Sequence, residues 1–451
     1  MRCSASRLII PAVSLSSLLL ISAAPPQVAV TKPTFTKDIA PILYQNCVSC
    51  HRPGEVAPFS LLDYKTVKKH ADDIGTVTES RYMPPWKAEA GHGDFMNERR
   101  LTDAQIQLVQ LWVKQGAVEG NVADLPPAPK FAEGWYLGEP DLVVKMPEAF
   151  MVPAEGRDVF RCFVIPMDLS EDKFVRAVEF RPSNRRVVHH SLIFLDSSGA
   201  ARKLDEADPG VGYGRMGGVG FVPSGGLGGW APGVFPQPLP NGIARRLKKG
   251  SDLILQTHFH PTGKEEIEQS TVGIYFYKTP PKAVMHGTMV ASRKIDIPPG
   301  EKNYKVTASI TSPIDVDLIG ITPHAHLICK DMRVWATFPD GNSQDLIWIK
   351  DWDFNWQDQY LYKKPIRIPR GTRVDMEFTY DNSTSNVRNP FNPPQRITRG
   401  EQTNNEMAIT FLNVVPVGFP GGGAPAAGDG RLRQLLERLG QGNNPPQKPA
   451  N

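Results

Sequence analysis

The apolar residues follow two different periodicities along the chain. From Leu101 to Val113 they recur every three or four residues, which is typical of one face of an α-helix. Thr102 is a favourable N-cap for this helix and Gly116 a favourable stop. Beyond Pro140 the apolar residues form short runs rich in Val, Ile, Phe and Tyr between turn residues. The pattern predicts a small helical N-terminal part followed by a larger, antiparallel β part.

Ten of these runs predict strands, and their number and spacing favour two tandem antiparallel sandwiches. We expect the sandwiches to meet near the prolines at 280–281, or a little later at 298–300. The ten runs are Phe160–Ile165, Val175–Phe180, Val187–Leu195, Val272–Tyr277, Tyr304–Ile310, Val316–Ile321, Arg333–Phe338, Asp345–Trp348, Arg373–Tyr380 and Met407–Val415.

Composition divides the chain further. The stretch Gly210–Gly242 is rich in glycine and lacks periodicity, so we interpret it as either a mobile loop over a cleft or a solvated insertion. Trp230 and Phe235 are the side chains in it that we expect to face a substrate. The predicted units are a signal peptide (1–29), a helical domain (31–121), a proline-rich linker (122–139), two sandwiches (140–281 and 282–415) and a low-complexity tail (416–451).

The N-terminal residues are typical of a secretory signal. Arg2 and Arg7 precede the apolar run Leu8–Ile21, and small residues follow at 22–24. An uncleaved membrane anchor is the alternative. We expect a periplasmic or secreted protein with no integral membrane segment once the signal is removed. The 51 basic and 47 acidic residues nearly balance, with no basic block, so nucleic acid is not an expected partner.

The helical domain contains the sequence Cys47-Val-Ser-Cys50-His51, the attachment pattern for c-type haem. The two thiols bind the haem covalently and the imidazole ligates the iron. A disulfide or half of a zinc site is the alternative, but zinc needs a second ligand pair and the next cysteine is Cys162. We therefore expect one haem c. Cys162 and Cys329 form either one disulfide or two separate thiols.

The helical domain resembles small bacterial cytochromes c, whose sixth iron ligand is usually a methionine in a loop between the helices. Met83 matches that position, and the two prolines after it hold the loop rigid. A thioether ligand raises the haem potential, which suits an electron relay. Met96, His92 and His70 are competing candidates.

Six of the seven histidines beyond residue 140 occur in pairs. His258 with His260, and His324 with His326, are separated by one residue, so each pair projects from one face of a strand and can reach one metal ion. An isolated pair of this kind is also common as a polar surface ladder. The adjacent His189 and His190 would need a local bend, or a different choice of ring nitrogen, to bind the same ion. Imidazole sites suit copper or zinc, and a methionine partner such as Met407 favours copper.

Four segments in succession resemble copper type II ascorbate-dependent monooxygenases, which include peptidylglycine α-hydroxylating and dopamine β-monooxygenases. They are Val187–Phe194, Leu255–Phe259, Pro323–Leu327 and Asn405–Met407, and the resemblance covers roughly residues 140–415. It implies two tandem jelly-roll-like sandwiches, each carrying one copper ion, with a solvent-filled cleft between the two ions.

The resemblance also implies the ligands of two copper ions. His189, His190 and His258 would hold the first copper, which stores an electron. The catalytic set His324, His326 and Met407 would hold the second copper, which binds and reduces dioxygen. His260 has no counterpart in the family pattern. Peptide-amidating members carry an arginine and a tyrosine where this chain has Thr322 and Phe411, so we expect no binding of a C-terminal glycine carboxylate there.

The sequence thus predicts a copper-dependent monooxygenase that hydroxylates a C–H bond of a small organic substrate with O2. Its electrons would come from the fused haem and an external donor. The alternative is a periplasmic haem and copper protein that transfers electrons or handles copper without hydroxylating. A third interpretation treats the β part as a scaffold with incidental histidines.

Overall fold

The computed structural model describes residues 31–418 except 54, 56, 132–133, 216–217, 232–233 and 401. The predicted signal peptide and nearly all of the predicted tail therefore lie outside the described residues. Most of the regular structure is β, in several sheets that are almost entirely antiparallel, as predicted. Within the described ranges, no helix is both long and apolar enough to cross a membrane.

The N-terminal part is helical. Its fourth α-helix is the one predicted from the apolar periodicity, and Thr102 and Gln105 cap its first turn reciprocally. After this helix, Gly116 adopts a φ of +88°, which favours glycine. A buried core that includes Phe35, Ile39 and Trp112 joins the helices. They are a π-helical turn at Phe35–Ile39, α1 (Ala40–Asn46), α2 (Tyr64–Lys69), α3 (Ala71–Glu79) and α4 (Asp103–Lys114), with a 3-10 turn at Val122–Asp124.

The segment between α3 and α4 packs away from the helical core. Ala88 and Phe95 are 3% and 1% exposed and belong to the hydrophobic core of the C-terminal β part. Each forms an isolated antiparallel bridge there, with Ile349 and Tyr362 respectively. This segment therefore packs the helical part against residues more than 200 positions later in the chain. The periodicity of apolar residues did not indicate this contact.

The first β unit contains two five-stranded sheets that share one core. In strand order the sheets are β1-β11-β4-β8-β12 and β6-β3-β9-β5-β7, and β10 pairs separately with β2. The elements are β1 (Leu142–Lys145), β2 (Phe150–Val152), β3 (Val159–Pro166), β4 (Lys173–Arg181), β5 (Val188–Asp196), α5 (Ala200–Ala207), β6 (Tyr213–Gly214), β7 (Gly225–Trp230), β8 (Ile243–Leu247), β9 (Asp252–Phe259), β10 (Glu266–Glu268), β11 (Thr271–Phe276) and β12 (Ala283–Val284).

The second β unit contains two four-stranded sheets around a second core. In strand order they are β13-β22-β16-β19 and β15-β20-β17-β18, and β14 pairs separately with β21. The strands are β13 (His286–Ala291), β14 (Asp296–Ile297), β15 (Tyr304–Thr311), β16 (Val316–His324), β17 (Cys329–Thr337), β18 (Ser343–Ile349), β19 (Tyr360–Ile368), β20 (Arg373–Tyr380), β21 (Ile397–Thr398) and β22 (Ile409–Pro416).

The glycine-rich stretch is not simply a loop or a solvated insertion. Residues Gly225–Trp230 form β7, which pairs antiparallel with β5. A Cβ atom at Gly229 would lie 2.7 Å from the side chain of Leu192 and 2.9 Å from the carbonyl oxygen of Ser191. Glycine therefore allows this strand to approach β5 closely. Four of the six residues of β7 are glycine, so a pattern based on apolar residues did not reveal the strand.

The two remaining cysteines are separate thiols. Cys162 is buried on β3 of the first unit and Cys329 is buried on β17 of the second, and both are free. The cores of the two units therefore stabilise them without a disulfide between these residues.

Candidate functional site

The first histidine group lies where β5 and β9 pair. His190 is opposite His258, while Val188 is opposite Phe259, so His189 is an extra residue that forms a β-bulge. A bulge redirects a side chain that would otherwise point to the opposite face of the sheet. One ring nitrogen from each of His189, His190 and His258 can be chosen so that all three lie within 4.8 Å of one another. The bulge supplies the local bend that adjacent histidines need.

The chemistry of this group fits a metal ion. His258 is 3% exposed and stacks on Phe160 with ring centroids 4.2 Å apart. Its Nδ1 has no hydrogen-bond partner among the described residues, and its Nε2 has only the carboxylate of Asp158, at 3.1 Å and not aligned for a hydrogen bond. Leaving a buried polar nitrogen without a partner costs about 1–3 kcal/mol. A cation coordinated by the three imidazoles would remove that cost.

Asp158 lies beside the first group and connects the two β units. Its carboxylate is 3.1 Å from His258 Nε2, although not aligned for a hydrogen bond, and 2.9 Å from His260 Nδ1. Thr403 of the second unit donates a hydrogen bond to it at 2.5 Å. Burial raises the pKa of Asp158, but these partners outweigh it and hold the pKa well below its usual value. His260 is largely exposed and contacts this carboxylate, so its role differs from that of His258.

The second histidine pair lies at and just beyond the end of β16. The ring centroids of His324 and His326 are 5.3 Å apart. His324 Nδ1 is 2.7 Å from Gln357 Oε1, and His326 Nδ1 is 3.1 Å from the carbonyl oxygen of Asn405. Since both partners are acceptors, each Nδ1 carries the proton and each Nε2 is left as the potential metal ligand.

The buried carboxylate of Glu406 holds His326 and Met407 together. It accepts hydrogen bonds from the main-chain nitrogens of His326 and Ile328, each at 2.8 Å, and of Met407 at 3.2 Å. Tyr380 donates a hydrogen bond to the carbonyl oxygen of Met407. The segment that contains Met407 is therefore fixed beside the second histidine pair by its neighbour in sequence.

The ring of Phe354 lies between the two histidine groups. It stacks on His189 with centroids 4.8 Å apart and meets His326 edge-on at 5.7 Å. Phe354 is only 7% exposed. The resemblance implied a solvent-filled cleft between the groups, but at this point a buried aromatic side chain fills the space.

Phe354 belongs to a segment, Trp352–Gln359, that we call the junction loop. Trp352 donates a hydrogen bond to the carbonyl oxygen of His326, and Gln359 donates one to that of Gly229 in the first unit. Its contacts with the helical part are an edge-on approach of Trp356 to Tyr82, with centroids 6.3 Å apart, and an ion pair of Asp358 with Arg99 at 2.5 Å. One loop therefore contacts both histidine groups and the helical part.

Cys47, Cys50 and His51 lie on one turn after α1. The main-chain nitrogen of His51 donates to the carbonyl oxygen of Cys47, and His51 Nδ1 is 3.1 Å from the carbonyl oxygen of Phe59. This contact fixes Nδ1 as the protonated nitrogen and leaves Nε2 as the potential metal ligand. The three groups of the predicted haem motif therefore lie on one turn.

The haem-motif region touches the first β unit next to its histidines. Glu55 accepts hydrogen bonds from Arg52 at 2.8 Å and from Arg185 at 2.9 Å. Arg185 precedes His189 by four residues. A charged contact therefore connects the residues that follow the predicted haem motif with those that precede the first histidine group.

The candidates for the sixth iron ligand lie in different surroundings. His92 Nδ1 is 2.5 Å from Asp345 on the second β unit, and the main-chain nitrogen of Met96 donates to Leu361 in the same unit. His70 stacks on Phe59, beside His51. Met83 follows α3, and its main-chain nitrogen donates to Val77. Met83 stays the predicted ligand, with His70 as the competitor that lies nearest the motif.

Burial favours the neutral form of four of the grouped histidines. It lowers the pKa of His189 and of His326 to about 3, and lowers the pKa of His190 and of His324 from the usual value. A neutral imidazole has a free lone pair for a metal ion, whereas an imidazolium does not. These four side chains are therefore in the form that binds a metal.

Comparison with known proteins gives no close relative. No protein-family model and no curated protein matches the chain. Similar solved structures include the VP2 subviral particle of infectious bursal disease virus, at 8% identity and a TM-score of 0.19 over 63% of this chain and 74% of that one. The structure of Sulfolobus Turreted Icosahedral Virus is 8% identical, with a TM-score of 0.25 over 66% of this chain and 95% of that one. A Paenibacillus xanthan lyase is 9% identical, with a TM-score of 0.17 over 66% of this chain and 29% of that one. Similarity this low carries no argument about function.

Sequence reasoning identified the ligand-type residues but not the side chains that position them. Phe354, Gln357 and Glu406 each contact a histidine or its main chain. Of these, only Glu406 had a signal, because it lies directly before Met407. The other two are ordinary loop residues in the sequence, and their roles follow from contacts with residues that lie far from them in the chain.

Proposed function

We propose that the chain is a copper-dependent monooxygenase with a fused c-type cytochrome domain. In this proposal the β units are the two jelly-roll-like sandwiches, and the helical part carries one haem. The observation that carries the proposal is the meeting of two separate imidazole groups, one from each β unit, at Phe354, which contacts both. Such an arrangement suits two metal ions that exchange electrons.

The residues have distinct roles in this proposal. His189, His190 and His258 would hold one copper ion, and His324, His326 and Met407 the other. Cys47, Cys50, His51 and Met83 would hold the haem. Haem and copper at these places would supply one-electron transfer and dioxygen reduction. We infer that the substrate is a small organic molecule, that an external donor reduces the haem, and that the protein acts in the periplasm or outside the cell.

The protein side chains prepare the site for this chemistry. Gln357 and Asn405 fix the tautomers of the second pair, and Glu406 holds the main chain that presents Met407. Two imidazoles with a soft sulfur ligand favour Cu(I), the oxidation state that reacts with oxygen. Phe354 and Trp352 exclude water from the space beside His326.

The filled junction also favours a second candidate, an electron-transfer or copper-handling protein without hydroxylase activity. A buried aromatic contact between two metal sites suits electron passage, while a hydroxylase additionally needs access for substrate. The two proposals differ in one observable, which is oxygen consumption coupled to product.

The test is metal loading followed by oxygen uptake. Protein with haem attached should bind two copper ions per chain, with type II signals in the EPR spectrum, and consume oxygen when a donor reduces the haem. Met407→Ala should abolish the uptake, whereas Met151→Ala, at a half-exposed methionine of the first unit, should not. Two coppers without oxygen uptake would favour the second candidate. Iron without copper would overturn both.

A further inference from the structure

A cavity of about 90 Å³ lies between the two β units, beside the C-terminal end of the junction loop. The first unit contributes residues of β4, β5, β7 and β8, and the second unit contributes residues of β19 and β22. Phe180 and Trp230, with ring centroids 5.3 Å apart, form much of the apolar wall together with Phe235 and Leu239. The volume admits several water molecules, so a single-ring organic molecule is the appropriate scale of ligand.

Arg245 is the unusual polar group in this wall. Its guanidinium donates one hydrogen bond, at 3.1 Å, to the carbonyl oxygen of Gly226, and among the described residues no carboxylate forms an ion pair with it. Burial lowers its pKa to about 10. Asp358, the acidic residue in the wall, is already paired with Arg99 at 2.5 Å. The cavity therefore presents an uncompensated positive charge.

Arg245 is partly buried, and partly burying a cation without an anionic partner has a cost that a carboxylate ligand would relieve through a bidentate contact with the guanidinium. We propose that this cavity binds a small carboxylate with an aromatic or aliphatic body. The carboxylate contacts Arg245, and the body packs against Trp230 and Phe180. A neutral ligand of the same shape would leave the arginine unpaired, so the site discriminates by charge.

The cavity lies on the same face of the second unit as His324. Asn413 lines the cavity and is opposite Gly320 on β16. Gly320 precedes His324 by four residues on β16. Because four is an even number, the two positions lie on the same face of the strand, and they are roughly 13 Å apart along it. Resting on the proposed function, we infer that the bound carboxylate is the substrate, anchored at Arg245 and extended toward the second histidine pair. Arg245 belongs to the first unit. Thr322 and Phe411, which stand where peptide-amidating members carry their arginine and tyrosine, belong to the second unit.

The test measures binding to copper-free protein by calorimetry and by tryptophan fluorescence. The probes are 3-phenylpropionate and its uncharged amide, 3-phenylpropionamide. We expect saturable binding of one acid per chain and at least tenfold weaker binding of the amide. Arg245→Gln should lower the affinity for the acid to that for the amide. Arg245→Lys should retain part of the preference for the acid.

The matched control is Arg246→Gln, the next residue on the same strand, whose guanidinium pairs with the exposed Asp172. It should bind the acid as the wild type does. Circular dichroism and the thermal midpoint establish that each variant is folded. Equal affinity for acid and amide, no saturable binding of either probe, or undiminished binding in folded Arg245→Gln would overturn the proposal. Because this test uses copper-free protein, none of these outcomes bears on the assignment of the copper ligands. A failure to bind copper, in turn, would not change the result of the carboxylate-binding test.

Discussion

Phe354 stacks on His189 with ring centroids 4.8 Å apart and an angle of 20° between the ring planes. The two residues come from different β units and are separated by 165 positions in the sequence. The same phenyl ring meets His326 edge-on. One packed aromatic side chain therefore contacts both histidine groups.

Removing the Phe354 ring should destabilise the protein and disturb both groups. Phe354→Ala deletes a buried ring, so we expect the free energy of unfolding to fall by about 3–5 kcal/mol. We also expect the EPR spectrum of bound copper to change, because His189 loses the ring that restrains it. Phe378→Ala, in the core of the second unit, should cost similar stability while leaving the spectrum unchanged. If the spectrum of Phe354→Ala is the same as that of the wild type, the role given to Phe354 is contradicted.

His258 and His260 should behave differently although they are two residues apart. His258→Asn removes a buried imidazole from the three-membered group and should eliminate one of two bound copper ions. His260→Asn alters an exposed ring that contacts Asp158 and should retain both. Copper per chain, measured by atomic emission after dialysis, distinguishes the two. A copper loss in His260→Asn equal to that in His258→Asn would assign both residues to the metal.

Gln357 should tune the second site through His324. Gln357→Leu removes the acceptor that fixes the Nδ1 proton, and losses of this kind weaken metal binding by about 10–100-fold. Competition with a chelator of known copper affinity measures the change. Gln344→Leu, at an exposed position of β18, is the control and should have no effect. An unchanged affinity in Gln357→Leu would show that the hydrogen bond does not position the ring.

The sixth haem ligand can be assigned by spectroscopy. Met83→Ala should abolish the far-red sulfur-to-iron charge-transfer band of the oxidised haem, because the thioether is lost. His70→Ala should retain the band. Survival of the band in Met83→Ala would exclude Met83, and a change of iron spin state in His70→Ala alone would favour the histidine.

Acid should destabilise the copper-free protein through the buried histidines. The pKa values of His189 and His326 are lowered to about 3 in the folded protein, while the unfolded chain has the ordinary value of about 6.5. Between these values the unfolded state binds more protons, so the free energy of unfolding falls as pH falls. From pH 7.5 to 5.0 each residue should contribute a loss of about 2 kcal/mol. Urea unfolding at both pH values measures this, and His326→Asn should show a flatter dependence. An unaltered dependence in that variant would contradict the buried, neutral state of His326.

Much of the fold followed from local pattern. All ten predicted strands overlap observed strands, and the helix predicted from Leu101 is observed at Asp103–Lys114. These predictions succeeded because each type of element turns its side chains toward the core at a fixed period along the backbone. Apolar residues therefore recur in the sequence with the period of the helix or strand. The strand Gly225–Trp230 was missed because glycine gives no apolar signal, and its pairing depends on the close approach of β5.

The candidate site was predicted less completely. The sequence by itself determined the spacing of the histidine pairs and the order of Cys47, Cys50 and His51, because a backbone turn or strand fixes how neighbouring side chains project. Only the tertiary structure decided that His189 forms a bulge, that Phe354 lies between two histidine groups, and that Arg245 faces a cavity without an anionic partner. Each of these depends on strand register or on contacts between residues far apart in the chain, and no local pattern records such contacts.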